Sequence, residues 1–475
     1  MSKDVDLSIE DGGLGVVSKG DGYLGVVGVG AAAVSGVVLA TRENYESKAG
    51  LSPIRDFLEQ VFSLVDIPVY CRILAASTAG TLSAVTKSTN NSGVGNLAVS
   101  GTPFNRFNVQ VDMIDAGALN QATFRYTLDG VKSDIITVPL DGVYLIAEAG
   151  ITLTFSAGAP TGDQKSFEAG DLFFFSSTAP TASNAELLAA VDDLIAYKQS
   201  FRHISVAAVT QAAFWASFAV KLEMAEADHK YMSGSTMNRY INGGETLDEY
   251  INAIIGTERG SVSSIRLMVC AHWIEENDIA GYVDIRNGLG KIIGRMFAIN
   301  IALSPGATKL GPVPGVEKIM PMDNGNPFPD GYTEALEIAG YATFRYYDGK
   351  TGVYVNDSTL MSPAGSDFTI CTRIDVLNKA RNLVRDSQFP YIKDNFDVLE
   401  DGTVPQLEAV KSAGEIMLDV MKRDKEISSG RINLPIDQNI LANPVVTEKV
   451  YITPRGSMKE ISGTIQYENP ALQEA

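Results

Sequence analysis

The sequence predicts an α+β or α/β multidomain protein, with a mixed α/β body, an inserted all-β module and strand-forming arms at both termini. Three observations predict it. Helical and strand patterns alternate between residues 184 and 320, the order that builds βαβ units and a partly parallel sheet. Residues 71–183 turn instead to Thr, Ser, Gly and Asn, with short β runs punctuated by turn residues. The two ends of the chain alternate apolar and polar residues, the pattern of a half-buried strand.

The first element is Asp4-Val5-Asp6-Leu7-Ser8-Ile9-Glu10. Val5, Leu7 and Ile9 share one face of a strand, and Asp11-Gly12-Gly13 breaks it. Residues 1–22 therefore read as an N-terminal arm. Residues 23–70 start the α/β body. The 17 uncharged residues Leu24–Ala40 include four glycines and Ser35, so they read as a buried strand pair with a glycine turn rather than a membrane span. Ser52-Pro53 opens a helix, with Ile54, Phe57, Leu58 and Val61 at helical spacing.

In the β module, residues 71–183, the runs Phe107–Met113, Thr123–Leu128, Ile135–Val138, Tyr144–Ala147, Leu153–Ser156 and Leu172–Ser176 are separated by Asp129-Gly130, Asp141-Gly142 and Thr161-Gly162-Asp163. Body residues 184–340 follow. A helix over Glu186–Tyr197 stripes Leu187, Leu188, Val191, Leu194 and Ile195 on one side. Next come a strand at Ile204–Val209, helices near Phe214–Ala227 and Leu247–Ile255, a buried strand at Ile265–Cys270 and a helix over Ile285–Ile299. Residues 341–445 open on a strand pair over Ala342–Val355 across Asp348-Gly349. A helix begins near Ile374, and another at Thr403, with Pro405 in its first turn and Gln406 placed for a capping box. The last segment, residues 446–475, alternates again: Val446, Val450 and Ile452, then Ile461, Ile465 and Tyr467 on one face. The pentapeptide ATFRY occurs at 122–126 and 342–346, each time before an Asp-Gly turn, and reads as shared hairpin chemistry rather than a repeat.

Composition narrows the function. The 475 residues carry a net charge of −19. A surface that acidic repels phosphate backbones and anionic lipid heads, so neither nucleic-acid binding nor direct membrane insertion is expected. Cys71, Cys270 and Cys371 are too far apart for a disulfide framework and read as buried small apolar residues. No secretory signal is expected, because the first 22 residues carry Asp4, Asp6, Glu10, Asp11 and Asp21.

Motifs for chemistry are weak. Gly28-Val29-Gly30-Ala31-Ala32-Ala33 fits G-x-G-x-x-A, yet Val34-Ser35-Gly36-Val37-Val38 follows as a strand, where a nucleotide site needs a helix. His203, His229 and His272 are the three histidines. Cys270 with His272, and His272 with Glu275, each offer two ligands with no third at metal-site spacing, and His272 beside Trp273 reads as a core residue. Asp192-Asp193 lies on the polar face of a helix, and no G-x-S-x-G elbow or Walker loop occurs. The expectation is a non-enzyme with no cofactor, no metal and no catalytic residues.

The segment FRYYDGKTGVYVND at 344–357 leads to Met361, then Gly365-Ser366-Asp367-Phe368, Arg373 and Asn378-Lys379-Ala380-Arg381. Together these residues resemble the C-terminal core of the contractile tail sheath family, in which a hairpin precedes an Arg-bearing helix. The closing KVYITPRGSMKEISGTIQYENP, residues 449–470, is similar to that family's final β segment. The resemblance implies a C-terminal sheath core at 341–445, a C-terminal β arm at 446–475 and a variable outer domain at 71–183. It also implies subunits linked into a helical sheath around an inner tail tube protein, meeting baseplate and tail terminator proteins. Such a sheath belongs to a virion tail or injection particle assembled in the bacterial host cytoplasm. Its arms would add strands to neighbours by β-augmentation, making Val5, Leu7, Ile9, Ile461, Ile465 and Tyr467 interface residues. Two alternatives stand beside this reading. One is an α/β enzyme with a β accessory domain, its site within residues 184–320. The other is a different self-assembling protein of a capsid or surface layer.

Overall fold

The structure, a computed structural model, describes residues 22–162, 164–277 and 283–458. The interface residues Val5, Leu7, Ile9, Ile461, Ile465 and Tyr467 lie outside the described residues. The chain divides into two compact units, Met1–Arg385 and Asp386–Ala475.

The first unit is built on an eight-stranded sheet in the order Val38–Ala40, Val69–Leu74, Tyr23–Val29, Phe201–Val209, Ser233–Met237, Leu267–Cys270, Tyr341–Arg345, Tyr354–Asp357. The six inner strands run parallel, and the strand at each edge is antiparallel to its neighbour. Parallel strands covered on both faces are apolar almost throughout, as in Tyr23–Val29, where every residue after Tyr23 is buried. Tyr23–Val29 and Val38–Ala40 do not pair with each other as the sequence reading had it. Val69–Leu74 lies between them, because a sheet with parallel inner strands takes its neighbours from crossovers rather than hairpins.

Helices cover both faces. A Cβ on Gly28 would lie 2.9 Å from Ile54, whereas one on Gly25 would meet Leu194 at 3.1 Å. The helices Pro53–Phe62 and Asn184–Ala196 thus take opposite sides. Beside the first lies Leu289–Ala298, whose Gly290 and Gly294 admit the backbone of Phe57 and Val61 to within 3.0 Å of where a Cβ would sit. Asn184–Ala196 is opened by a capping box of Ser183 and Glu186. Ala212–Ala227 buries Trp215 beside it, with the indole N–H donating to Thr210 Oγ1 at 2.8 Å. The expected helix at 285 begins later: Val283–Asn287 is a strand paired with Trp273–Asn277, and Asn287 Oδ1 then accepts from the N–H of Leu289. Local alternation in Val-Asp-Ile-Arg-Asn, with a partner strand available, prevails over helical spacing.

The β module is a two-sheet sandwich. One sheet orders Val143–Ile146, Ile151–Ser156 and Asn96–Gly101. The other orders Thr86–Lys87, Leu172–Ser176, Asn108–Asp115, Thr123–Leu128 and Val131–Lys132, with Ile136–Thr137 also on Thr123–Leu128. Their inner faces share a core of Val111, Met113, Phe124, Leu153, Phe155 and Phe173. Both ATFRY copies fall on strands that enter hairpins. After the first, Asp129 and Gly130 both have positive φ, 46° and 94°, as the tightest hairpin turn demands.

Candidate assembly surface

Exposed apolar side chains are concentrated in the second unit, residues 386–475. Ten of the twenty-two large hydrophobic side chains exposed among the described residues lie between Phe389 and Met458. Its scaffold is a helix, Leu407–Arg423, packed on a two-stranded ribbon of Ile427–Asn433 and Lys449–Pro454. Leu407, Leu418 and Met421 face inward, and Gly430 lets Leu418 approach to 2.9 Å of where a Cβ would sit. Glu415 reaches the ribbon and accepts the N–H of Ile432 at 3.0 Å.

The ribbon pairs Ile432 with Val450, Arg431 with Tyr451 and Gly430 with Ile452. The Arg431 guanidinium lies 4.2 Å from the Tyr451 ring centre, and Ser429 Oγ donates to Thr453 Oγ1 at 2.9 Å. Gln438 braces the connection, donating to the Thr447 carbonyl and accepting its N–H. Among the described residues, neither strand has a second neighbour. Val450 and Tyr451 are 40% and 42% exposed on opposite faces. The helix start differs from the expected capping box. Asp401 takes both the N–H and hydroxyl of Thr403, while Gln406 donates to Asp397. The nearby acids thus compete away the Thr-Gln pair, and the helix begins at Leu407.

Residues singled out for chemistry take packing roles. A Cβ on Gly30 would stand 2.4 Å from Ile73, and the chain after Gly30 continues through bends to a strand, not a helix. His272 is buried, accepts the N–H of Phe344 on Nδ1 at 2.9 Å and is pushed by that burial to about 3. All three cysteines are free and buried. Asp192 and Asp193 pair with Lys221 and Arg72.

A buried polar cluster escaped the sequence reading. His203 bonds Ser233 Oγ through Nδ1 at 2.7 Å and Ser235 Oγ through Nε2 at 2.8 Å. Asp375 accepts from Ser233 at 2.9 Å and from Arg202 at 2.8 Å, and Cys371 Sγ lies 3.4 Å from Ser233 Oγ. The residue types suit nucleophilic catalysis, but their electrostatics oppose it. Burial lowers His203 to about 4 and raises the Cys371 thiol well above its ordinary value, so near neutral pH the imidazole is neutral but a weak proton acceptor and the thiol stays protonated. The cluster fastens the helix Cys371–Gln388 to two sheet strands. Its legible signal is the polar alternation His203, Ser205 and Ser233, Ser235 within buried strands.

A second polar cluster, of Glu59, Gln60, Glu276, Arg286 and Lys291, lines a cavity of about 150 Å³. Arg286 meets Glu59 at 2.7 Å, and Gln60 donates to Glu276 at 2.8 Å. Burial raises the Glu276 carboxyl, while Lys291 and Arg286 oppose that shift. Among the described residues, no group of three or more His, Cys, Asp or Glu is placed to hold a metal ion, and no helix is long and apolar enough to cross a membrane.

Taken with the α/β body, the ribbon defines a two-unit chain whose smaller unit pairs two strands with no further strand neighbour among the described residues. The chain belongs to the DUF2586 family: the family's N-terminal domain matches residues 2–359 and its C-terminal domain residues 367–472. Among solved structures it is similar to a sheath tail protein from Desulfitobacterium hafniense. That match has 13% identity, covers 96% of this chain and 100% of the other, and has a TM-score of 0.46. It is also similar to a chain in the contracted baseplate of the anti-feeding prophage, at 10% identity, 100% and 98% coverage and a TM-score of 0.49. No curated protein matches its sequence.

Proposed function

We propose that this chain is a structural, non-enzymatic subunit of a contractile tail sheath, from a phage tail or related injection machine. Copies polymerise into a helical tube around an inner tail tube, and the tube shortens to drive that tube through a target envelope. One observation carries the reading: the ribbon Ile427–Asn433/Lys449–Pro454 has no further strand neighbour among the described residues. The helix Leu407–Arg423 supports the ribbon, but open strand edges recruit further strands. The alternating segments around Val5, Leu7 and Ile9 and around Ile461, Ile465 and Tyr467 are the strands we assign to those edges, donated by neighbouring subunits. Contacts between unlike surfaces do not close, so they propagate a helix. Contraction keeps the strand links while larger faces slide between two packings.

The resemblance of residues 344–381 and 449–470 to the sheath family supports the same reading. It supplies the further partners: the inner tube, the baseplate and the tail terminator, met in a particle assembled in the bacterial cytoplasm. Electron micrographs of the purified full-length chain test the proposal. Hollow rods of two lengths and diameters are expected. Chains lacking residues 1–12, or ending at Met458, should stay folded and soluble without forming rods. Sheets or shells from the full chain, or normal rods from both truncations, would refute the proposal.

A further inference from the structure

We propose that Asn242 is a site of spontaneous covalent modification, where the side-chain amide is lost and a carboxylate takes its place. The chain has three Asn-Gly pairs, Asn242-Gly243, Asn287-Gly288 and Asn324-Gly325. In such a pair the glycine nitrogen attacks the asparagine Cγ, and the absence of a Cβ on glycine leaves the approach open. A C–N bond forms and closes a five-membered imide. The Cγ–Nδ2 bond breaks, the glycine nitrogen gives its proton to solvent base, and the amide nitrogen takes up a proton and leaves as ammonia. Water then opens the ring at either carbonyl, giving aspartate or its β-linked isomer. Nothing is oxidised or reduced, and water is the one co-reactant.

The three pairs are alike in sequence and unlike in structure. Asn287 is 4% exposed. Its Nδ2 donates to the carbonyls of Asn238 and Cys270 at 3.4 and 3.3 Å, its Oδ1 accepts from Leu289 at 3.1 Å, and the Gly288 N–H donates to the His272 carbonyl at 3.0 Å. Both reacting groups are engaged there. Asn324 is exposed but lies in a two-residue turn, with φ 50° and 85° at Asn324 and Gly325. Asp323 and Asn326 exchange both backbone hydrogen bonds across it, at 3.0 and 2.8 Å, and Asn324 Nδ2 donates to Asp323 Oδ1 at 3.1 Å. That turn fixes the dihedrals of both its central residues, so the Gly325 nitrogen swings toward Cγ only when those bonds break.

Asn242 carries none of these restraints. It is exposed, and neither its side chain nor the Gly243 N–H has a hydrogen-bond partner among the described residues. A Cβ on Gly243 would meet nothing within 4 Å. The Asn242 carbonyl accepts the N–H of Glu245 at 3.1 Å. The turn this closes fixes the dihedrals of Gly243 and Gly244, not those of Asn242. Glu245 also takes the Asn242 N–H at 2.9 Å, but Arg239 matches its charge at 2.7 and 2.8 Å, so it does not oppose a negative charge developing on the Gly243 nitrogen. The product adds one negative charge to the net −19. The β-linked isomer also adds a backbone atom inside the ring that Glu245 closes with Asn242.

Incubation of the full-length chain at mildly alkaline pH, followed by trypsin digestion and mass spectrometry, tests this. The peptides Tyr240–Arg259, Asn287–Lys291 and Ile319–Arg345 carry one pair each. Relative to a zero-time digest, the folded chain should show the amide-to-acid mass shift in Tyr240–Arg259, placed at residue 242 by fragmentation, together with a more acidic species on ion exchange. Misplaced reacting groups cost up to roughly a hundredfold in rate, so Asn242 should outrun Asn324 and Asn287 by about tenfold or more. In urea the three should convert alike. Asn242→Gln should remove the acidic species, because a longer side chain closes the ring poorly. A folded chain that keeps the Asn242 amide while the urea-treated chain loses it would overturn the proposal. Equal conversion of Asn324 or Asn287 in the folded chain, or an undiminished acidic species from Asn242→Gln, would do the same. The sheath reading fails on a different result, absence of rods from the wild type, so the two are distinguishable.

Discussion

Asp129→Asn should stabilise the β module at neutral pH, and the gain should disappear in acid. Asp129 sits at the hairpin turn with φ 46°, and its Oδ1 accepts the N–H of Asn108 at 2.7 Å. Burial, the largest cause, raises its carboxyl from 3.8 to about 6; the Asn108 N–H opposes this, and Asp284 adds to it. Because the folded-state value is raised, the group favours folding fully below the unfolded value of about 4. That contribution is lost as pH rises through about 6. At ~1.4 kcal/mol per tenfold in proton affinity the loss is at most about 3 kcal/mol. Partial contact with solvent lowers it to about 1–2 kcal/mol. Asparagine keeps the acceptor oxygen, tolerates the left-handed backbone and removes the buried charge. Hydrogen exchange read on peptides covering Asn108–Asp115 and Thr123–Leu128 isolates the module from the rest of the chain. Protection should rise at pH 7.5, and the difference should shrink as pH falls below 6. A gain independent of pH, or a loss at pH 7.5, would refute desolvation as the cause.

Two further outcomes follow from the packing. Asp375→Ala strips the buried Arg202, 6% exposed, of its carboxylate and should cost about 3–5 kcal/mol in urea denaturation; a cost below about 1 kcal/mol would show that solvent reaches the pair. Gly30→Ala drives a Cβ to 2.4 Å from Ile73 and should lower stability by about 1–3 kcal/mol, read as a melting-temperature shift. An unchanged melting temperature would mean that the glycine is kept for something other than packing.

Much of the body was legible because its signals are local. The apolar run in Tyr23–Val29, the helix start at Ser52-Pro53, the β runs with Asp-Gly turns and the buried cysteines each depend on neighbours a few residues away. Register and neighbour choice did not follow. Val69–Leu74 enters between Tyr23–Val29 and Val38–Ala40, and nothing in those strands names a partner from beyond the intervening helices. The Asp375 cluster joins Arg202, Ser233 and Asp375 across up to 173 residues, so its members carry no spacing pattern.

The assembly surface divides in the same way. Alternation in Val446, Val450 and Ile452 was readable as a strand, because side chains on a strand change faces at every residue; the strand that forms is Lys449–Pro454, which leaves Val446 in the connection before it. That this strand pairs with Ile427–Asn433 alone, among the described residues, and leaves Tyr451 exposed was decided by tertiary structure. The same holds for the Asn-Gly pairs at 242, 287 and 324: the pairs are written in the sequence, but which of them is free to react depends on which amides the fold has already engaged.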